Sequence, residues 1–301
     1  MESSPDAATP PSLQQGRLLL VLAALMWSTS GAFTKVLTQP TALRLDSPAV
    51  APLQIAFYRA LFAGLVLVPL LRRHDLSFRP MMVPMAACFA VMNATFVSAL
   101  ALGTAANAIL LQYTAPMWMF LASVWLLGER ADRRSLAALA VGLAGVAILV
   151  AGGWQEAQLF VVGIGLGSGV TYAGVVICLR VLRDVSPRWL TVLNHLVSAL
   201  VLVPFIYALD LPTAGQMVVL FLYGGVQMAI PYTLMARGLR TVSPQEAGTI
   251  TLLEPLLNPL WAYLVAGEEP SLFTLTGGTF ILGALAWRYW PCRKPAARLH
   301  S

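Results

Sequence analysis

Apolar residues run through this chain in long blocks separated by short polar or basic clusters. A helix rises 1.5 Å per residue and needs about 20 apolar residues to cross the hydrocarbon core of a bilayer. On that scale the pattern predicts ten spans, at 18–37, 52–71, 81–102, 105–127, 135–152, 159–180, 188–209, 215–236, 245–266 and 271–290. Some connections are very short, such as Gly103-Thr104, so neighbouring spans should form antiparallel hairpins. The expected fold class is an all-α integral membrane protein. Residues 1–16 are polar and rich in Pro and Ser and read as a disordered tail, and 291–301 read as a second tail. The apolar run after Arg17 is too long for a signal peptide and reads as a retained first helix.

Composition agrees with a lipid-solvated chain. Of 301 residues, 58% are hydrophobic and 11% charged, with mean hydropathy +0.75, whereas soluble domains carry roughly 25% charged residues. The distribution of charge adds an orientation. One set of connections, with both tails, holds sixteen Lys and Arg residues; the alternate set holds only Lys35 and Arg44, and Arg59 lies inside the second span. The positive-inside rule then places both termini of this multi-pass chain in the cytoplasm. The net charge of +6 is accounted for by topology, with no basic cluster on a soluble face to bind nucleic acid. Cys88, Cys178 and Cys292 are too scattered for a metal or disulfide framework, and His74, His195 and His300 form no HExxH motif. No cofactor is expected.

The spans repeat. Pro116, Gly128 and Glu129 recur as Pro255, Gly267 and Glu268, 139 positions on. Leu65-Val66-Leu67-Val68-Pro69 recurs as Leu200-Val201-Leu202-Val203-Pro204, and aligning Trp27–Leu37 with Tyr172–Leu182 sets Lys35 opposite Arg180. The predicted organisation is two five-helix repeats, 17–152 and 153–290. Five is odd, so the second copy enters the membrane inverted. Inverted repeats suit secondary transporters, whose halves exchange conformations around a central site.

On Trp27-Ser28-Thr29, Phe57-Tyr58-Arg59, Pro116 with Gly128-Glu129-Arg130, Glu254-Pro255 and Gly267-Glu268, the sequence resembles the drug/metabolite transporter superfamily, in its EamA-like ten-helix branch. The resemblance covers roughly 17–290 and implies an inner-membrane carrier or exporter of small metabolites such as amino acids, with its site between the halves.

Arg59 and Glu254 are the charges set deepest in spans. Counting at 1.5 Å per residue puts each within roughly 3 Å of the midplane, on opposite sides of it. Charge at that depth costs about 2.5–3.5 kcal/mol on insertion scales. Two readings stay open: substrate contacts for a polar or zwitterionic solute, or a structural ion pair. Glu254 is also the candidate for proton coupling. Trp27, Asn93, Gln112, Tyr113, His195, Tyr232 and Asn258 are the further substrate-binding candidates, each weighed against a role in holding helices together. Gln227 belongs to the same set of polar residues in spans. Pro116 and Pro255, in mid-span, are candidate hinges or kinks. Missing GxSxG and HExxH motifs argue against an intramembrane hydrolase. A passive channel and a non-transporting scaffold remain the alternatives, and oligomeric state is not legible.

Overall fold

The computed structural model describes residues 11–126, 133–152 and 156–289. Every regular element among them is helical. Seven stretches are long and apolar enough to cross a membrane: Leu13–Thr38, Pro52–Leu70, Met82–Leu102, Arg133–Gly152, Gln158–Val181, Pro187–Ile206 and Ala214–Gly238. The other three predicted spans are helical too, but two are divided and the third ends in polar and aromatic residues.

In chain order the α-helices are α1 (Leu13–Trp27), α2 (Ser30–Thr38), α3 (Pro52–Leu67), α4 (Met82–Leu102), α5 (Ala105–Gln112), α6 (Ala115–Leu126) and α7 (Arg133–Gly152). They continue as α8 (Glu156–Val181), α9 (Pro187–Ile206), α10 (Ala214–Leu222), α11 (Ile230–Gly238), α12 (Pro244–Thr251), α13 (Leu253–Ala266) and α14 (Leu272–Tyr289). A π-helical stretch, Tyr223–Ala229, joins α10 to α11.

Side chains obey the logic of a lipid solvent, apolar outward and small or polar inward. Helix α9 exposes Leu200, Val201 and Phe205 and buries Asn194, His195 and Ser198. With little hydrophobic drive between helices in lipid, close van der Waals approach holds them together. Helix α7 packs along α14, α3 along α9, α4 along α8, and α1 along α11. The α7–α14 crossing is set by two glycines, since a Cβ on Gly277 would sit 2.7 Å from the Gly145 carbonyl oxygen, and the reverse also holds. Backbone cannot yield there. Gly277→Val is expected to destabilise the protein by about 1–3 kcal/mol through overpacking, read as a lower Tm of detergent-purified protein; an unchanged Tm would contradict this packing.

The fourth and ninth predicted spans break just before their prolines, at Tyr113-Thr114 and at Leu252. Pro116 and Pro255 therefore lie in the first turn of new helical segments, where a missing N–H is tolerated, instead of bending continuous ones. The carbonyl that Pro255 cannot reach is that of Thr251. Tyr113 donates its hydroxyl to that oxygen at 2.9 Å. The first span also breaks, without proline: the hydroxyls of Ser28 and Thr29 donate back to Leu25 and Met26 carbonyls at 2.7 and 2.6 Å, competing with the helical ladder. Trp261 Nε1 and Asn258 Nδ2 then donate to Ser28 and Ser30 hydroxyls, both at 2.8 Å, and tie this break to α13.

Lys35, expected in a connection, is fully buried in the last turn of α2. Its Nζ lies 2.8 Å from Glu268 Oε2 and donates to the Gly103 carbonyl at 2.6 Å. Glu268 Oε1 accepts from the Ala105 N–H at the start of α5, at 2.6 Å. One buried ion pair thus joins the ends of α2, α4, α5 and α13. The repeat partner of Glu268, Glu129, lies outside the described residues, as do Gly128 and Arg130.

Candidate functional site

The helix breaks converge on a cavity of about 270 Å³, near the lower end of the range for ligand pockets. Its walls come from α1, α3, α4, α5, α6, α8, α11, α12, α13, α14 and the π-helical stretch. It begins at mid-bundle and extends toward the end that carries Arg180, Arg237 and Arg288: Met235, Gly248 and Leu285 line it, whereas Lys35 and Glu268 at the other end do not. A second cavity of about 200 Å³, lined in part by Arg180 and Arg288, shares Pro116, Met119 and Leu285 with the first.

Arg59 enters the wall from α3, only 2% exposed. Its Nε donates to Asn93 Oδ1 at 2.8 Å and its Nη1 to the Tyr223 hydroxyl at 3.0 Å. The guanidinium carbon lies 5.2 Å from the Tyr223 ring centre and 5.7 Å from that of Phe96, within range of cation–π attraction. Asn93 is fixed in turn, its Nδ2 donating to the Ala56 carbonyl at 2.9 Å and to Ser198 Oγ at 3.0 Å. Tyr223 shares its hydroxyl with Thr34 Oγ1 at 3.0 Å and donates to the Ser30 carbonyl at 3.1 Å. Neutral dipoles and aromatic faces hold the cation in place of a counter-ion.

Glu254 lines the same cavity from α13. Its Oε2 lies 2.8 Å from the Tyr113 hydroxyl, whose one proton is shared between this carboxylate and the Thr251 carbonyl, so one tyrosine bridges the broken fourth span to the broken ninth. Among the described residues Arg59 and Glu254 make no ion pair, so the structural-pair reading does not describe this conformation. A cation and an anion therefore face one cavity with neither neutralised by the other. Such a site can receive a solute carrying both charges.

Of the sequence-derived candidates, Arg59, Glu254, Trp27, Gln112, Tyr113, Tyr232 and Pro116 line the cavity. Trp27 and Tyr232 meet edge to face, with ring centres 5.3 Å apart. Asn93, His195, Asn258 and Pro255 do not line it. Asn93 positions Arg59, while Asn258 joins α13 to α2. His195 packs behind the lining, its ring 5.5 Å from Tyr232 and 4.9 Å from Phe89, with Nδ1 at 2.8 Å from the Thr191 carbonyl. Sequence reasoning missed Tyr223, Phe96 and the Lys35–Glu268 pair. The repeat carried a signal for the last, because Lys35 aligns with Arg180 and Glu268 belongs to the duplicated Gly-Glu; Tyr223 and Phe96 left none.

Comparison with known proteins bears on this arrangement. The model of the EamA-like transporter family matches residues 14–151 and again 159–289. An uncharacterized transporter of Archaeoglobus fulgidus is 29% identical, over 92% of this chain and 97% of its own length. The pseudopaline exporter CntI of Pseudomonas aeruginosa is 26% identical, over 90% of this chain and 95% of its own. A solved crystal structure, 20% identical, resembles this fold with a TM-score of 0.61, over 92% of this chain and 97% of that one.

Proposed function

The chain belongs to the EamA-like transporter family, and from that premise we propose that it is a secondary transporter that exports a small polar or amphipathic, amino-acid-like metabolite across the inner membrane by alternating access. The observation that carries the reading is the cavity itself: Arg59 and Glu254 line it without pairing with each other. Buried charges of opposite sign that leave each other open are costly in a membrane unless a ligand uses them.

Support for two inverted five-helix halves comes from several directions. The family model matches twice, and both central spans break at corresponding places, Tyr113 and Leu252. Helix pairing also survives exchange of the halves, α4 with α8 answering to α1 with α11, while α3–α9 and α7–α14 answer to themselves. The charge pattern favours cytoplasmic termini. In that orientation the cavity faces the cytoplasm and the Lys35–Glu268 pair closes the outer end. Export is favoured by the name of the Pseudomonas aeruginosa relative.

The test compares spent medium from cells that overproduce the protein with medium from vector controls, then reconstitutes the protein with any solute found enriched. Saturable flux with counterflow is expected. Conductance without counterflow would make the protein a channel, and no enriched solute would end the export reading.

Proton coupling through Glu254 is a further part of the proposal, supported by the absence of an ion pair with Arg59. Glu254→Gln is expected to abolish acceleration of transport by a proton gradient while counterflow continues. Gradient dependence equal to wild type would remove Glu254 from that role.

A further inference from the structure

Gln227 sits in the π-helical stretch Tyr223–Ala229, a type of irregularity frequent at functional sites. It is 2% exposed and lines the central cavity. Its Nε2 donates to the Trp27 carbonyl at 2.9 Å. A carbonyl only accepts, so this bond fixes the orientation of the amide, nitrogen toward Trp27. The amide oxygen, Oε1, has no hydrogen-bond partner among the described residues.

A buried acceptor without a donor is expensive, and native structures keep one where a ligand or water completes it. Asn194, His195 and Asn258 also leave a buried polar atom without a partner, but none of them lines the cavity. Among the described residues, Gln227 alone combines the two properties with a fixed orientation.

Around it the lining offers acceptors and π-faces. Glu254 contributes a carboxylate, and Trp27, Tyr232, Tyr113, Tyr172 and Phe96 contribute rings. Arg59, the one cation among the described lining residues, already directs Nε and Nη1 to Asn93 and Tyr223. An ammonium group is the chemistry that such a surface stabilises, through charge-assisted hydrogen bonds and cation–π attraction.

We infer that Gln227 is a substrate-binding residue whose amide oxygen accepts an N–H from an amino group of the exported solute, in concert with the carboxylate of Glu254. The inference rests on the transport reading above and narrows its cargo to amine-bearing solutes. Gln227 and Glu254 together discriminate amines from their neutral amide derivatives, because acylation of a primary amine removes the charge and leaves a single N–H to serve two oxygens.

The test treats spent medium from cells making wild type or Gln227→Met with dansyl chloride, which tags amines, alongside untagged solute profiling. Wild type is expected to enrich at least one amine, and Gln227→Met at equal membrane abundance to lower that enrichment at least tenfold. In proteoliposomes holding wild type, the N-acetyl derivative of the enriched amine is expected to compete in counterflow at least tenfold less well than the amine. This second arm decides the matter if the variant fails to reach the membrane. Enriched solutes that lack amines, undiminished export by Gln227→Met, or equal competition by the N-acetyl compound would overturn the inference and leave the transport reading standing. If wild type enriches nothing, the export reading falls and the inference with it.

Discussion

Arg59→Met is expected to reduce transport below about a tenth of wild type and to lower the Tm by several degrees. Hydrogen bonds to a charged group contribute about 1.5–3 kcal/mol each, and Arg59 donates two to buried side-chain acceptors, Asn93 Oδ1 and the Tyr223 hydroxyl. Removing the guanidinium leaves those acceptors in a bilayer interior with little water to replace it. It also removes the one cation among the described residues that line the cavity. Arg59→Lys is expected to recover some stability but little transport, since a compact ammonium cannot hold the planar fork between Asn93 and Tyr223. Initial rates in proteoliposomes and thermal melts of the purified variants check both statements. A variant with wild-type rates would remove Arg59 from the site.

The second large effect concerns the closed end. Breaking a buried ion pair by deleting one partner costs about 3–5 kcal/mol, because it strands the other charge. Lys35 and Glu268 have side chains only 1% and 11% exposed, so Lys35→Met should fall in that range. Neutralising both partners should cost much less, and Lys35→Met with Glu268→Gln is expected to be more stable than Lys35→Met alone. The pair also joins elements from the two stretches that match the family model, α2 and α5 from the first and the end of α13 from the second. Its loss should therefore shift the protein toward opening at that end. Equal Tm values for the single and double variants would show that deleting Lys35 strands no charge on Glu268.

Much of this architecture was legible in the apolar pattern, and the missing parts have identifiable causes. Seven of the predicted spans correspond to helices long and apolar enough to cross a membrane, because lipid demands continuous hydrogen-bonded backbone and so leaves helix as the simplest choice. Interruptions inside the blocks were harder to see. Pro116 and Pro255 drew attention to the right places, but proline also permits a helix start, and here the chain breaks before each one. At Ser28-Thr29 no proline marks the break; two hydroxyls do the work through their own backbone.

The candidate cavity was legible only through charge depth. Arg59 and Glu254 were placed near the midplane by counting residues, and both line the cavity. Their separation was not legible, because it depends on Asn93, Tyr223 and Tyr113 arriving from other helices. Lys35 looked like a connection residue in a one-dimensional charge count, yet it is buried with a carboxylate more than 230 positions away along the chain.

Alternating access is tested most directly by side-specific labelling of Thr251→Cys, a cavity-lining position, in a background with Cys88, Cys178 and Cys292 replaced. A membrane-impermeant maleimide is applied to right-side-out or inside-out vesicles. The cysteine is expected to label from the cytoplasmic side alone, and to become accessible from outside when Lys35→Met is added. Labelling from both sides without that change, or no outside access with it, would contradict a carrier whose central cavity opens to one side at a time.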